Sequence, residues 1–386
     1  MPWKESDKVT ERMQFISRYQ GGERISDLSK EFGISRQTGH ALVKRYEKFG
    51  TDALNDKSSR PTTSPNRTPP AKADRIVALR EKHPTWGPKK LKKRLEVLEP
   101  DVRWPAASTI GVILADAGLS QKRKRRRRAS PNVPTERRET SAPNELWCID
   151  YKGQFKLGNR SYCYPLTATD HYSRYLLGCE ALENTKTNPA QITFLHLFDR
   201  YGLPDAIRSD NGSPFASTGR AGMSRLAVFF MRLGIALERI EPGKPQQNGR
   251  HERMHLTLKQ DTTRPPAANS LAQQQRFDVF TKVFNQERPH EAIHMKTPSE
   301  LYQASKRKLP ESLPTPDYPL HDRTLRVSNS GHLYLRSMGH AYLGSAFAQQ
   351  QVGLREIEDG TWLITFMELD LGYLDTQTKK IIDLPK

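Results

Sequence analysis

The hydrophobic periodicity of this 386-residue chain changes twice, and these changes limit the folds that it can adopt. Up to about residue 119 the apolar residues recur at helical spacing, whereas from Asn144 they form short runs typical of strands. Beyond residue 322 they alternate with polar residues, as in a sheet with one buried face. The sequence therefore predicts a multidomain protein with an all-α part, an α/β part and a small all-β part.

Positive charge is concentrated in the helical part. The net charge is +19, of which residues 1–140 carry +15 and residues 141–386 carry only +4. Such an excess on one third of the chain indicates a polyanionic partner, and nucleic acid is the leading candidate. The sequence lacks a long apolar run and a signal-peptide pattern, so we expect a soluble, intracellular protein with no membrane partner.

Two helix-turn-helix units are predicted, over residues 1–54 and 71–119. In the first unit Gly33 suits a tight turn and Ser35 suits the N-cap of a second helix. That helix is expected to present four side chains to base edges and phosphates: Arg36, Gln37, His40 and Lys44. An ordinary helical hairpin is the alternative, and the local positive charge favours DNA binding.

The two segments that follow these units have the composition of linkers. Residues 55–70 are rich in Pro, Ser and Thr, and residues 120–141 form a basic linker. The basic linker contains seven consecutive cations, whose mutual repulsion opposes independent folding: Lys122, Arg123, Lys124, Arg125, Arg126, Arg127 and Arg128. We expect this arm to lie along DNA phosphates, although a solvated linker would have the same composition.

Strand-like runs and helices alternate over residues 142–308, which predicts an α/β domain with a mixed sheet. The three cysteines Cys148, Cys163 and Cys179 lie in its apolar runs, so we interpret them as free buried thiols. A linker over residues 309–322 precedes the alternating tail at 323–386. That tail predicts a small all-β barrel and a third contact with DNA.

Three carboxylates of the central domain stand where packing alone would not place them. Asp150 interrupts a buried strand, Asp210 ends a strand just before a turn, and Glu252 lies in the first turn of a polar helix. A buried carboxylate is costly unless it is paired or binds metal. Two Mg²⁺ or Mn²⁺ ions would resolve the repulsion between three converging carboxylates, and such pairs of ions catalyse phosphoryl transfer.

The motifs around these carboxylates resemble those of bacterial insertion-sequence transposases of the retroviral-integrase superfamily. They are Trp147-x-x-Asp150, Ser209-Asp210-Asn211-Gly212, Pro245 to Arg253, Thr257-Leu258-Lys259, Asn285 to His290 and Thr297 to Tyr302. The resemblance implies an RNase H-like catalytic domain with Asp150, Asp210 and Glu252 as catalytic residues and ligands of two Mg²⁺ or Mn²⁺ ions. It also implies that Asn248 and Lys259 contact DNA.

The resemblance further implies a reaction and its partners. The protein would bind the terminal inverted repeats of a mobile element, nick them hydrolytically and join the freed 3′-hydroxyl to target DNA. The partners would be double-stranded DNA and further copies of the chain, in a dimer or larger complex at the bacterial nucleoid. One departure concerns the 41 residues between Asp210 and Glu252, more than the family usually has. The surplus falls in the loop over residues 217–222.

Three alternatives stay open at this point. His251-Glu252-Arg253-Met254-His255 matches the H-E-x-x-H motif of zinc proteases, but a polar helix without a third ligand disfavours that interpretation. A DNA-binding regulator that has lost catalysis would share the helix-turn-helix units. A structure-selective nuclease would share the catalytic fold, although two recognition units favour sequence-specific ends.

Overall fold

The computed structural model describes residues 8–56, 67–120, 139–241, 245–335 and 339–384. The chain divides into two compact units, Met1–Arg67 and Thr68–Lys386. The predicted basic arm at 122–128 lies outside the described residues. None of the helices in these ranges combines the length and the apolar composition that crossing a bilayer requires.

The first unit is a three-helix domain whose second and third helices form the predicted helix-turn-helix. Its helices are α1 (Lys8–Gln20), α2 (Ile25–Glu31) and α3 (Arg36–Phe49). The N-cap at Ser35 is confirmed, because its hydroxyl accepts the Thr38 N–H at 3.1 Å. Gly39 allows α2 and α3 to pack closely, since a Cβ there would lie 2.8 Å from the hydroxyl oxygen of Ser29.

A second group of helices begins the second unit and packs on the central domain. It comprises α4 (Pro70–Lys82), α5 (Pro88–Leu98) and α6 (Ala107–Asp116). Their shared core contains Trp86, Leu91 and Ile110, and Val283 of the central domain packs against it. An ion pair of 3.0 Å between Arg94 and Glu287 reinforces this contact.

The central domain has the predicted α/β composition. Its elements are β1 (Trp147–Tyr151), β2 (Phe155–Lys156), β3 (Tyr162–Asp170), β4 (Leu176–Leu182), α7 (Thr187–Tyr201), β5 (Ala206–Ser209), α8 (Arg225–Arg232), β6 (Ala236–Arg239), α9 (Gly249–Thr262) and α10 (Ser270–Gln286). In the mixed sheet β1 lies between β3, which is antiparallel to it, and β5, which is parallel. Strand β4 flanks β3, β6 flanks β5, and β2 pairs with the start of β3.

Helices cover both faces of this sheet. Helices α7 and α8 bury one face around Phe194, Phe198 and Phe230. Helices α9 and α10 bury the other face with Met254, Phe277 and neighbouring residues. Because side chains alternate along β1, Trp147 and Ile149 belong to the first core, and Asp150 faces the layer of α9. The three cysteines are free and buried, as predicted.

The C-terminal region is all-β, as predicted, but its main sheet is open in strand order, whereas a small barrel was expected. Its strands are β7 (Arg323–Arg326), β8 (His332–Leu335), β9 (Gly339–Tyr342), β10 (Gln351–Glu358), β11 (Thr361–Phe366), β12 (Leu369–Asp375) and β13 (Lys380–Ile382). The described strands form an antiparallel sheet in the order β13-β12-β11-β10-β7 and a separate β8-β9 hairpin. Both pack around one core with residues of α8. Alternating polarity predicts the buried face of a sheet and carries no information about closure, which explains the error.

The contact between the second group of helices and the central domain contains buried histidines with a consequence for acid stability. Burial lowers the pKa of His83 to about 4 and that of His290 to about 3. His83 stacks on Trp86 with the ring centroids 3.9 Å apart. The unfolded chain takes up protons at both positions below about pH 6.5, and the folded protein does so only below these lower values. The two neutral histidines therefore contribute their full stabilisation of the folded state above pH 6.5, and this contribution is lost as the pH falls towards 4.

We expect the free energy of unfolding of the second unit to fall between pH 6.5 and 4, by about 1.4 kcal/mol per pH unit for each of these histidines. Thermal unfolding at several pH values, followed by circular dichroism, measures this slope. His83→Gln removes one titrating group and should make the slope shallower. An identical slope in the variant and the wild type would contradict the assignment.

Candidate active site

Neighbouring strands bring Asp150 and Asp210 to the same level of the central sheet. Strands β1 and β5 are parallel, and Cys148 of β1 lies opposite Arg208 of β5. Continuing this register by two residues places Asp150 level with Asp210, which directly follows the last residue of β5. Because neighbouring strands lie about 4.8 Å apart, the two carboxylates start from adjacent positions.

The turn after β5 fixes the Asp210 carboxylate. Its Oδ1 accepts the Gly212 N–H at 3.1 Å. Asn211 ties the turn to the end of β6, since its side-chain amide donates to the Ile240 carbonyl at 2.7 Å. A side chain at position 212 would crowd the acid, because a Cβ there would lie 2.9 Å from Oδ2 of Asp210. In this turn Asp210 supplies the carboxylate, Asn211 holds the turn against the end of β6, and Gly212 leaves room for the carboxylate.

Helix α9 places Glu252 beside this pair of strands. His251, Met254, His255 and Leu258 are buried against the sheet, and Glu252 is exposed at the start of the helix. The helix therefore packs against a core, which corrects the sequence-based interpretation of α9 as polar throughout. Charged residues lie between these buried residues along α9. The overall composition of the helix therefore did not indicate a buried face.

The electrostatics of Asp150 report the proximity of the three acids. Burial raises the pKa of Asp150, as does the negative charge of Asp210 and, to a smaller extent, that of Glu252. A hydrogen bond from the Tyr151 N–H opposes them, and the resulting pKa is about 7. Asp210 and Glu252 are therefore each close enough to Asp150 to repel its negative charge.

The donor chemistry of this cluster fits a hard divalent cation, because carboxylate oxygens are the ligands that Mg²⁺ and Mn²⁺ prefer. The repulsion that raises the pKa of Asp150 is the kind that a bound cation relieves. Among the residues that the structure describes, no group of three or more His, Cys, Asp or Glu side chains is spaced to hold a metal ion. The three acids are thus electrostatic neighbours without forming a closed ligand set.

The two histidines of the H-E-x-x-H segment bind a threonine. Nε2 of His251 lies 2.8 Å from the hydroxyl oxygen of Thr167, and Nε2 of His255 lies 2.7 Å from the same atom. Nδ1 of His251 lies 2.7 Å from the hydroxyl oxygen of Thr169. Burial lowers the pKa of His251 to about 3 and lowers that of His255 as well. Three of the four imidazole nitrogens are thus occupied within the domain, which disfavours the zinc-protease alternative.

Thr167 and Thr169 are not among the site residues predicted from the sequence. The available signal was their spacing in Thr167-Ala168-Thr169, which places both hydroxyls on one face of a strand. His251 and His255, four residues apart, share a face of α9 in the same way. Only the pairing of strand and helix showed that these two faces meet.

The predicted DNA-contacting residues fall into distinct environments. On α3 all four (Arg36, Gln37, His40 and Lys44) are exposed. Lys259 is exposed on α9, and its charge contributes to the lowered pKa of Lys152, after burial. Asn248 is buried, and no described residue donates a hydrogen bond to its Oδ1. Lys122 to Arg128 lie outside the described residues.

Comparison with known families matches the same segments. The integrase core domain matches residues 140–245, and a second integrase core domain family matches residues 233–298. Residues 140–298 of this chain are thus similar to integrase core domains. A helix-turn-helix domain matches residues 11–62 and a homeodomain-like domain matches residues 38–114. The N-terminal part of the chain is thus similar to the helix-turn-helix domain type that the sequence predicted.

Relatives with curated sequences fit this assignment. An uncharacterized 31.7 kDa protein of insertion element IS407 from Burkholderia multivorans is 29% identical over 195 residues, covering 48% of this chain and 65% of the relative. The Gag-Pol polyprotein of baboon endogenous virus is 30% identical over 122 residues, covering 32% of this chain and 7% of the polyprotein. The chain spans less than two thirds of each of these relatives. The resemblance to insertion-element transposases of the superfamily is confirmed.

Solved structures of retroviral integrases are also similar in part. The HTLV-2 integrase catalytic core domain in complex with magnesium is 17% identical with a TM-score of 0.34, over 42% of this chain and 98% of that one. The simian T-cell lymphotropic virus intasome is 15% identical with a TM-score of 0.39, over 81% of this chain and 100% of that one. At these scores the structural matches support no further conclusion.

The proximity of the three acids predicts a change in the Asp150 titration. Asp210→Asn removes the larger of the two repelling charges and should lower the pKa of Asp150; Glu252→Gln should lower it less. Carbon-13 NMR of labelled aspartate carboxyl groups measures this pKa, and the signal missing in Asp150→Asn provides the assignment. An unchanged Asp150 titration in both variants would show that the acids do not converge.

Proposed function

We propose that this integrase-core chain is a transposase. It binds the terminal inverted repeats of a mobile DNA element, nicks the ends by metal-dependent phosphodiester hydrolysis and joins the 3′-hydroxyl to target DNA. The observation that carries this proposal is the register of β1 and β5, which puts Asp150 level with Asp210, together with the repulsion that these two acids and Glu252 exert. Carboxylates that converge where two neighbouring strands end suit the binding of divalent cations.

In this proposal Asp150, Asp210 and Glu252 are the catalytic residues and hold two Mg²⁺ or Mn²⁺ ions. Such ions, when bound, activate a water or 3′-hydroxyl and stabilise the leaving oxygen of an in-line displacement. The chain's own residues hold and orient the acids. The turn at Gly212 fixes Asp210, and the buried face of α9 fixes Glu252. Lys152 and Lys259 place positive charge beside the acids, where a DNA phosphate would enter.

Double-stranded DNA is the proposed partner, both as element ends and as target. The exposed side chains of α3 support specific recognition, and the charge of the N-terminal third supports binding to phosphates. We propose that Asn248 acts near the DNA through its place at the start of α9, since its side chain is buried. A homodimer or larger assembly on paired ends, at the nucleoid in the bacterial cytoplasm, completes the proposal.

Asp150→Asn tests the chemistry. We expect the variant to bind a duplex of the element end as the wild type does and to lose detectable nicking with Mg²⁺ or Mn²⁺, because an amide cannot replace the charged ligand. Electrophoretic mobility shift and strand-nicking assays on the same labelled duplex measure both properties. Specific binding without any nicking by the wild type would instead favour a regulator that has lost catalysis. Equal nicking by the variant and the wild type would remove Asp150 from the site.

Two substitutions on α3 separate base recognition from phosphate binding. Gln37→Ala should cost specific binding about 1–3 kcal/mol and leave non-specific binding unchanged, if Gln37 reads a base edge. Lys44→Ala should weaken both and reduce the salt slope by about one unit. Lys306→Ala removes one exposed charge from the other unit and is the matched control. Fluorescence anisotropy at several salt concentrations measures these effects, and equal affinities in all four proteins would exclude α3 from DNA binding.

A further inference from the structure

We propose that Thr167 is a positioning residue that, through His251 and His255, holds α9 against the strand of Asp150 and thereby sets the affinity of the three-carboxylate site for divalent cations. This inference rests on the proposed function for the identity of the ligands. It adds a role for a hydroxyl that does not belong to the triad. Thr167 lies directly opposite Asp150 in the pairing of β1 with β3.

One oxygen atom joins three elements of the site. The Thr167 hydroxyl lies 3.0 Å from the Asp150 carbonyl oxygen, 2.8 Å from Nε2 of His251 and 2.7 Å from Nε2 of His255. The side chain is fully buried, so water does not compete for these contacts. Strand β1, strand β3 and helix α9 therefore meet at a single atom.

The hydrogen bonds of this oxygen are completely determined by its chemistry. A hydroxyl has one hydrogen and two lone pairs. The Asp150 carbonyl can only accept, so it takes the hydrogen, and both histidines must donate from Nε2. Nδ1 of His251 is then an acceptor, which the Thr169 hydroxyl satisfies at 2.7 Å. The one hydrogen and two lone pairs of the Thr167 hydroxyl are then all used, which gives the hydrogen bonds of this oxygen one arrangement.

The two tethers bracket Glu252. His251 precedes it by one residue and His255 follows it by three, on successive turns of α9. With both imidazoles bound to β3, the first turns of the helix can neither rotate nor slide along the sheet. The Glu252 backbone is therefore fixed relative to Asp150. Nδ1 of His255 lies 3.8 Å from Oδ2 of Asp150, too far for a hydrogen bond, so the acid stays available as a ligand.

The contribution of Thr167 is measured by Mn²⁺ binding to the full chain. Thr167→Val keeps the side-chain shape and removes the hydroxyl that accepts two buried N–H groups in the described part of the chain. Residues that orient metal ligands typically change affinity by about 10–100-fold, and we expect a weakening of that size. Thr167→Ser restores the hydroxyl and should recover most of the affinity. Thr193→Val removes another buried hydroxyl, one that donates to the Pro189 carbonyl of α7, and should leave Mn²⁺ binding unchanged.

Electron paramagnetic resonance of free Mn²⁺ gives the affinity without a DNA substrate, and the binding lost in Asp150→Asn defines the site. Thermal unfolding by circular dichroism checks that each variant is folded. If Thr167→Val does not fold, the pair His255→Gln and His255→Met replaces it, because glutamine retains a side-chain N–H donor and methionine does not. Weaker binding by the methionine variant alone then supports the proposal.

The possible failures are distinguishable. Wild-type protein that binds Mn²⁺ and nicks DNA, with a Thr167→Val variant of equal affinity, overturns the positioning role and leaves the proposed function intact. An equal loss in Thr193→Val also overturns it, since any buried threonine would then matter as much. Wild-type protein that neither binds Mn²⁺ at Asp150 nor nicks DNA overturns the proposed function, and the positioning role falls with it.

Discussion

The position of β1 between an antiparallel and a parallel neighbour is the constraint on which the candidate site depends. Its antiparallel partner β3 brings Thr167 opposite Asp150, and its parallel partner β5 brings Asp210 to the same level. A shift of β1 by one residue would turn Asp150 into the core under α7 and α8. Trp147 and Ile149 resist that shift, because they are buried in that core on the opposite face. The hydrophobic core thus fixes the register that places Thr167, Asp150 and Asp210 side by side.

Helix α9 is hydrogen-bonded to Thr167 through its buried histidines, and it carries Glu252 on its exposed face. Its buried face is held by hydrogen bonds of neutral side chains, since a charged group buried there would be costly without a partner. The histidines of this face are held neutral by burial, so they do not compensate the charges of the nearby acids. Burial and the uncompensated charges of Asp210 and, more weakly, Glu252 therefore keep the pKa of Asp150 at about 7, and the repulsion from these charges favours cation binding.

The second group of helices belongs to the same compact unit as the central domain, and polar contacts fix it there. Arg94 pairs with Glu287, and Arg288 donates to the Thr85 hydroxyl at 3.4 Å. Burial, the charge of Arg288 and, more weakly, that of Arg253 lower the pKa of Lys90 to about 8, so the start of α5 lies near α9. A helical unit of the DNA-binding type is thus attached beside the helix that carries Glu252. The first unit, with α3, is compact by itself.

The sequence by itself determined the fold classes and the order of the elements, and it singled out the three acids as a prediction, because periodicity, turn residues and acids in apolar runs are local properties. It also determined the basic character of the N-terminal third. It could not determine that the C-terminal sheet stays open in its strand order, since closure depends on pairing between distant strands. Nor could it show that Thr167 accepts hydrogen bonds from both histidines of α9, more than 80 residues away. Only the tertiary structure decided those contacts, because they form where a strand and a helix meet. The sequence of either segment does not specify where the other one lies.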